Sequence, residues 1–107
     1  MIPEIKAKWV AALRSGEYTQ GDNCLRHGER FCCLGVLCDL HAKETGGEWT
    51  NGKYDNHAAF LPDSVRQWAR IPRSTGGDAV TDQTLMEAND INGKSFAEIA
   101  DIIEREL

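Results

Sequence analysis

The sequence is short of positive charge, of aromatic residues and of any apolar run long enough to cross a bilayer. Its 12 lysines and arginines stand against 17 aspartates and glutamates, a net charge of −5 over 107 residues. Binding to duplex DNA needs a basic face that neutralises phosphates, so this balance excludes duplex DNA as the main partner. It leaves room for a local basic pocket and for a partner that is itself basic. Aromatic residues make up 7% of the chain. The longest apolar run, Phe31 to Cys38, falls well below the ~20 residues of a transmembrane helix, which predicts no contact with a membrane. The opening Met1-Ile2-Pro3-Glu4-Ile5-Lys6 lacks the basic and apolar regions of a secretory signal, and this predicts a cytoplasmic protein. Zinc-ribbon spacing is missing too. The cysteines, Cys24, Cys32, Cys33 and Cys38, contain no C-x2-C pair, and in a reducing compartment they read as small buried hydrophobes.

What is present organises itself around that apolar run. A helix apolar all round belongs in the interior. The sequence therefore predicts a mainly α fold in one domain over 1–107: about five short helices around a central apolar helix at 31–43, with one small β-hairpin at 48–55. Pro3 suits the first turn of an opening helix. Ile2, Ile5, Trp9, Ala12 and Leu13 give that helix an apolar face at three- and four-residue steps, and Ser15-Gly16 ends it. Residues 17–30 form a polar loop, long for a domain of this size and of the length that often carries function. Gly35, inside the central helix, implies close approach of another helix. Asn51-Gly52 between aromatic-bearing runs is a strong hairpin signal. A short helix at 62–70 follows, then a linker-like stretch at 73–78. Thr81 or Asp82 can cap a helix running to about Asn89, and Ser95-Phe96-Ala97-Glu98 is a capping box for the last helix.

Several constellations bear on chemistry. Cys38 and His41 share a helix face at i, i+3 and form half a metal site in an apolar setting that favours packing. Cys24 lies near His27 and Asp22 in the long loop. Proximity in sequence supplies neither the base geometry nor the oxyanion pocket that a catalytic thiol requires. The sharpest constellation is an anion pocket. Arg26 and Arg30 precede the central helix, whose N-terminus offers free N–H groups and the positive end of its dipole. Tyr18, Gln20, Asn23, Trp49 and Tyr54 could add hydrogen bonds or stack on a base. The alternative reading has the two arginines pairing with Glu17, Asp22 and Glu29 at the surface.

Three segments, Trp9-Val10-Ala11-Ala12-Leu13-Arg14-Ser15-Gly16, Arg30-Phe31-Cys32-Cys33-Leu34-Gly35-Val36-Leu37-Cys38-Asp39-Leu40 and Ser95-Phe96-Ala97-Glu98-Ile99-Ala100-Asp101, together resemble a group of small uncharacterised proteins encoded by bacteriophages and prophages. The resemblance spans most of the chain and is weakest at 45–60 and 71–80. It implies a phage accessory protein acting in the infected host's cytoplasm. Such proteins often counter host defences by binding a host protein or by sequestering a signal. The expectation is a non-enzymatic binding protein with no cofactor, no metal and no catalytic residue. Its partner is a host defence protein or, alternatively, an anionic nucleotide-like molecule held by the arginines. A small thiol or metal hydrolase is the remote alternative, and the sequence leaves self-association open.

Overall fold

A computed structural model describes residues 1–71 and 85–107. The fold is mainly α, with five helices and two small sheets among the described residues. Helix α1 (Pro3–Arg14) starts at its proline and buries Ile5, Trp9, Val10 and Leu13. The Trp9 indole is fully buried and donates to the Cys33 carbonyl at 2.9 Å, so its one polar atom is satisfied inside the core.

The polar loop expected at 17–30 folds instead into a second sheet beside the expected hairpin. Strands β1 (Thr19–Gln20), β2 (Arg26–His27) and β3 (Arg30–Phe31) lie in the order β1-β3-β2. β1 runs parallel to β3, and β2 antiparallel. The cause is apolar anchoring: Leu25 is fully buried and Phe31 nearly so, and Gly28, with φ 60, turns the chain between β2 and β3.

Helix α2 (Cys33–Thr45) begins two residues later than expected because Phe31 belongs to β3 and Cys32 is the cap. The Cys32 sulfur accepts from the Gly35 N–H at 3.4 Å. All eight residues from Phe31 to Cys38 are buried, and the helix grows progressively exposed from Asp39. It touches α1, α3, α4 and β3, while α5 packs on α1 and α4. Gly35 is required for a reason other than the one expected. Its neighbour is the backbone of Leu25, not a helix: a Cβ there would lie 1.7 Å from the Leu25 carbonyl oxygen.

Strands β4 (Trp49–Thr50) and β5 (Lys53–Tyr54) form the expected hairpin. Both turn residues have positive φ, 53° at Asn51 and 78° at Gly52, as a type I′ turn requires. Helix α3 (Asp63–Ala69) follows Pro62, and α4 (Leu85–Asp90) is described from Leu85. The expected cap at Thr81 or Asp82 and the linker at 73–78 lie outside the described residues. Helix α5 (Phe96–Glu106) opens with the predicted capping box, both reciprocal bonds of which form. No helix among the described residues is long and apolar enough to cross a membrane.

Candidate functional site

The register of the three-stranded sheet decides where the two arginines go. Arg26 is the cross-strand partner of Phe31, and His27 of Arg30. Cross-strand partners share a face and successive residues alternate, so Arg26 shares a face with Phe31 while Arg30 takes the opposite one. The contacts agree. The Arg26 guanidinium lies 4.9 Å from the Phe31 ring centroid and 5.5 Å from that of Trp49, whereas Arg30 lines two clefts with His27 and Lys94. The single pocket expected to hold both arginines is therefore not formed. Neither arginine forms an ion pair among the described residues, so the alternative of pairing with Glu17, Asp22 or Glu29 is not realised there either.

The helix terminus expected to bind an anion is occupied by the protein itself. The Cys33 N–H donates to Asn89 Oδ1 at 3.2 Å, and Cys32 and Cys33 are buried. Asn89, 6% exposed, is the polar hub of this region. Its Oδ1 also accepts from Gln20 Nε2 at 3.0 Å, and its Nδ2 donates to the Gly21 carbonyl at 2.8 Å. Gln20 is consumed in the same network. Its Nε2 also donates to the Lys94 carbonyl, and its Oε1 accepts from the Phe96 N–H. It ties β1 to the start of α5 instead of facing a ligand. Asn23 is exposed in a left-handed turn with φ 63, on the cleft that Arg30 lines.

The aromatic candidates gather on the Arg26 side. Tyr18 and Trp49 each meet the Phe31 ring edge-on, with centroids 5.2 and 5.9 Å away. Asp39, at the point where α2 leaves the core, fixes both: Tyr18 Oη donates to Oδ2 at 2.6 Å and Trp49 Nε1 to Oδ1 at 3.1 Å. Lys43, one turn on, sits 3.5 Å from Asp39 and donates to Tyr18 Oη at 3.1 Å. Burial, and then donation to Asp39, raise the Tyr18 pKa, so the phenol stays protonated. Tyr54 is nearly fully buried. Its hydroxyl lies 2.5 Å from His41 Nδ1, and its ring packs 5.1 Å from that of Trp49. It supports the face from beneath. The loop and the hairpin therefore do meet, through Arg26 and Trp49.

The family comparison covers the whole chain, with a match to residues 1–107. The chain belongs to the family described as Domain of unknown function (DUF8296). No match was found among curated proteins or among solved structures.

In this DUF8296 chain three of the four thiols, Cys32, Cys33 and Cys38, are buried in settings unsuited to nucleophilic chemistry. Burial pushes the Cys32 thiol up to about 12 and raises those of Cys33 and Cys38 as well. Cys24 and His27 line one cleft of about 380 Å³, but the Cys24 thiol donates to the Asp22 carbonyl at 3.7 Å and forms no bond to His27. Among the described residues no group of three or more His, Cys, Asp or Glu could hold a metal ion. Sequence reasoning missed Asp39, Lys43 and Asn89, and weighed His41 only as half a metal site with Cys38, whereas its Nδ1 lies against the Tyr54 hydroxyl. Asp39 carried a signal, being the first charged side chain after the apolar run. Asn89 carried none.

Proposed function

We propose that the chain is a non-enzymatic phage accessory protein that counters a host defence system by binding a host protein through the face formed by Tyr18, Arg26 and Trp49. The observation that carries this reading is the gathering of a tyrosine, a tryptophan and an arginine on one partly exposed face, ordered by Asp39 and Phe31. These three residue types dominate the energetics of protein interfaces. The separation of Arg26 from Arg30 disfavours nucleotide sequestration. The clefts beside Arg30, about 310 and 380 Å³, are lined by no phenylalanine, tyrosine or tryptophan, and His27 of the larger one is their single ring on which a base could stack. In this reading α2 is the helix around which the chain is organised, with its apolar half in the core and Asp39 and Lys43 reaching the face. Phage origin rests on the resemblance of the three sequence segments given above.

The test is capture from bacterial lysate with the tagged protein, with retained proteins and small molecules identified by mass spectrometry. A host protein in stoichiometric amount is expected, lost on Arg26→Glu at an unchanged melting temperature, along with phage protection. An intact nucleotide released on denaturation, or capture insensitive to Arg26→Glu, refutes the reading.

A further inference from the structure

Arg26 is a cation held ready without a counter-charge among the described residues. Acidic residues outnumber basic ones 17 to 12, and Lys8, Arg14, Lys43, Arg66, Lys94 and Arg105 each sit beside a carboxylate. Arg26 does not. Its Nε–H donates to the Gly28 carbonyl at 2.9 Å, and the guanidinium lies against the Phe31 and Trp49 rings. These contacts restrict the side chain, and its two terminal amino groups make no hydrogen bond among the described residues. Asp39, the acid that orders this face, is already held by Tyr18, Trp49 and Lys43.

A planar guanidinium with its outer edge free and its rotation restricted presents two parallel N–H donors, the geometry that a carboxylate accepts in bidentate fashion. A phosphate dianion fits less well. It gains from several converging cations, and here Lys43 is already held by Asp39. We propose that Arg26 docks a side-chain carboxylate from an acidic segment of a partner protein, with Phe31 and Trp49 as the walls of the seat. This rests on the protein-binding reading above and adds the chemistry of the partner.

The probe is an acetylated and amidated hexaglutamate peptide, followed by the 15N–1H resonances of Arg26 Nε and Trp49 Nε1. Saturable shifts of both are expected. Arg26→Lys keeps the charge but not the two-pronged donor, and weakens binding roughly tenfold or more. Arg30→Lys, on the opposite face, leaves it unchanged. The proposal is overturned by absent shifts, by equal shifts with sodium chloride of matched ionic strength or with inorganic phosphate, or by undiminished binding to Arg26→Lys. The two readings fail separately. A host protein captured equally by the wild type and by Arg26→Lys sinks the carboxylate seat alone. Hexaglutamate binding without any captured host protein sinks the host-protein reading alone.

Discussion

Replacing Gly35 by alanine is the most searching test of how this fold is held together. The added methyl carbon would stand 1.7 Å from the Leu25 carbonyl oxygen and 2.7 Å from its carbonyl carbon, against an ordinary carbon–oxygen contact of roughly 3.4 Å. Neither side can yield cheaply. Leu25 is fully buried, its N–H bonded to the Ala58 carbonyl at 2.6 Å and its own carbonyl accepting from Cys32 at 3.2 Å. On the helix side, Cys33, Leu34, Val36 and Leu37 are all fully buried. Overpacking of a well-packed core costs about 1–3 kcal/mol. Displacing two backbone hydrogen bonds adds about 0.5–1.5 kcal/mol each. Alanine's better helix propensity returns about 1 kcal/mol. The net loss centres near about 3 kcal/mol, a fall in Tm on the order of 15 °C for a domain of this size. Thermal melts followed by circular dichroism measure it directly. A variant that melts at or above the parent temperature would refute the close approach of Leu25 to α2.

Asn89→Ala removes the acceptor of the Cys33 N–H and the donor to the Gly21 carbonyl, and should cost about 2–4 kcal/mol in a urea titration; a loss below about 1 kcal/mol would show that Asn89 is not a hub. Asp39→Ala leaves Tyr18 and Trp49 without their shared acceptor. It should cost about 2 kcal/mol and shift the tryptophan emission, whereas unchanged emission and stability would mean that the face is ordered by packing alone. Burial lowers the His41 pKa below its ordinary 6.5, against the opposing pull of Asp55 and Glu44, so the unfolded chain takes up this proton before the folded one. The resulting stability is complete above 6.5 and lost as pH falls from there through the folded value. Urea midpoints between pH 7.5 and 5.5 should therefore drop more in the wild type than in His41→Gln, and equal drops would contradict the linkage. Melts with dithiothreitol and with EDTA should match the untreated protein; a fall of more than about 10 °C, worth a few kcal/mol, would reveal a structural disulfide or metal.

The helices and the hairpin were legible because their signals are local. Pro3, Ser95 with Glu98, and Asn51-Gly52 act within a turn or two of themselves, and each does in the structure what its chemistry prescribes. The three-stranded sheet was not legible. Its strands are two residues long, too short to show alternation, and what orders them is burial of Leu25 and Phe31 against a helix distant from β1 in sequence. The same difficulty hid the site. Gln20 and Asn89 are 69 positions apart, and no pattern along the chain couples them. Asn89 takes the position at the start of α2 that sequence reasoning reserved for an anion.

The placement of Arg26 and Arg30 shows how a small register decision controls function. Only three residues separate them along the chain, and in a helical segment they would lie on one face, four positions apart. In the antiparallel pair β2–β3 they are not opposite each other: Arg26 faces Phe31 across the ladder, and Arg30 faces His27. A shift of the turn by one residue would move every side chain of the strand to the other face. The turn at Gly28 fixes that register, and Phe31 fixes which face is inward because it must reach the core. The burial of one phenylalanine thereby sends Arg26 to the aromatic face and Arg30 to the clefts. Inserting a glycine between Gly28 and Glu29 tests the connection. It should leave the helices intact by circular dichroism while abolishing the Arg26–Trp49 contact. In the 15N–1H spectrum the Arg26 Nε resonance should then lose the ring-current shift conferred by Phe31 and Trp49, and retention of that shift would show that packing, not register, positions the guanidinium.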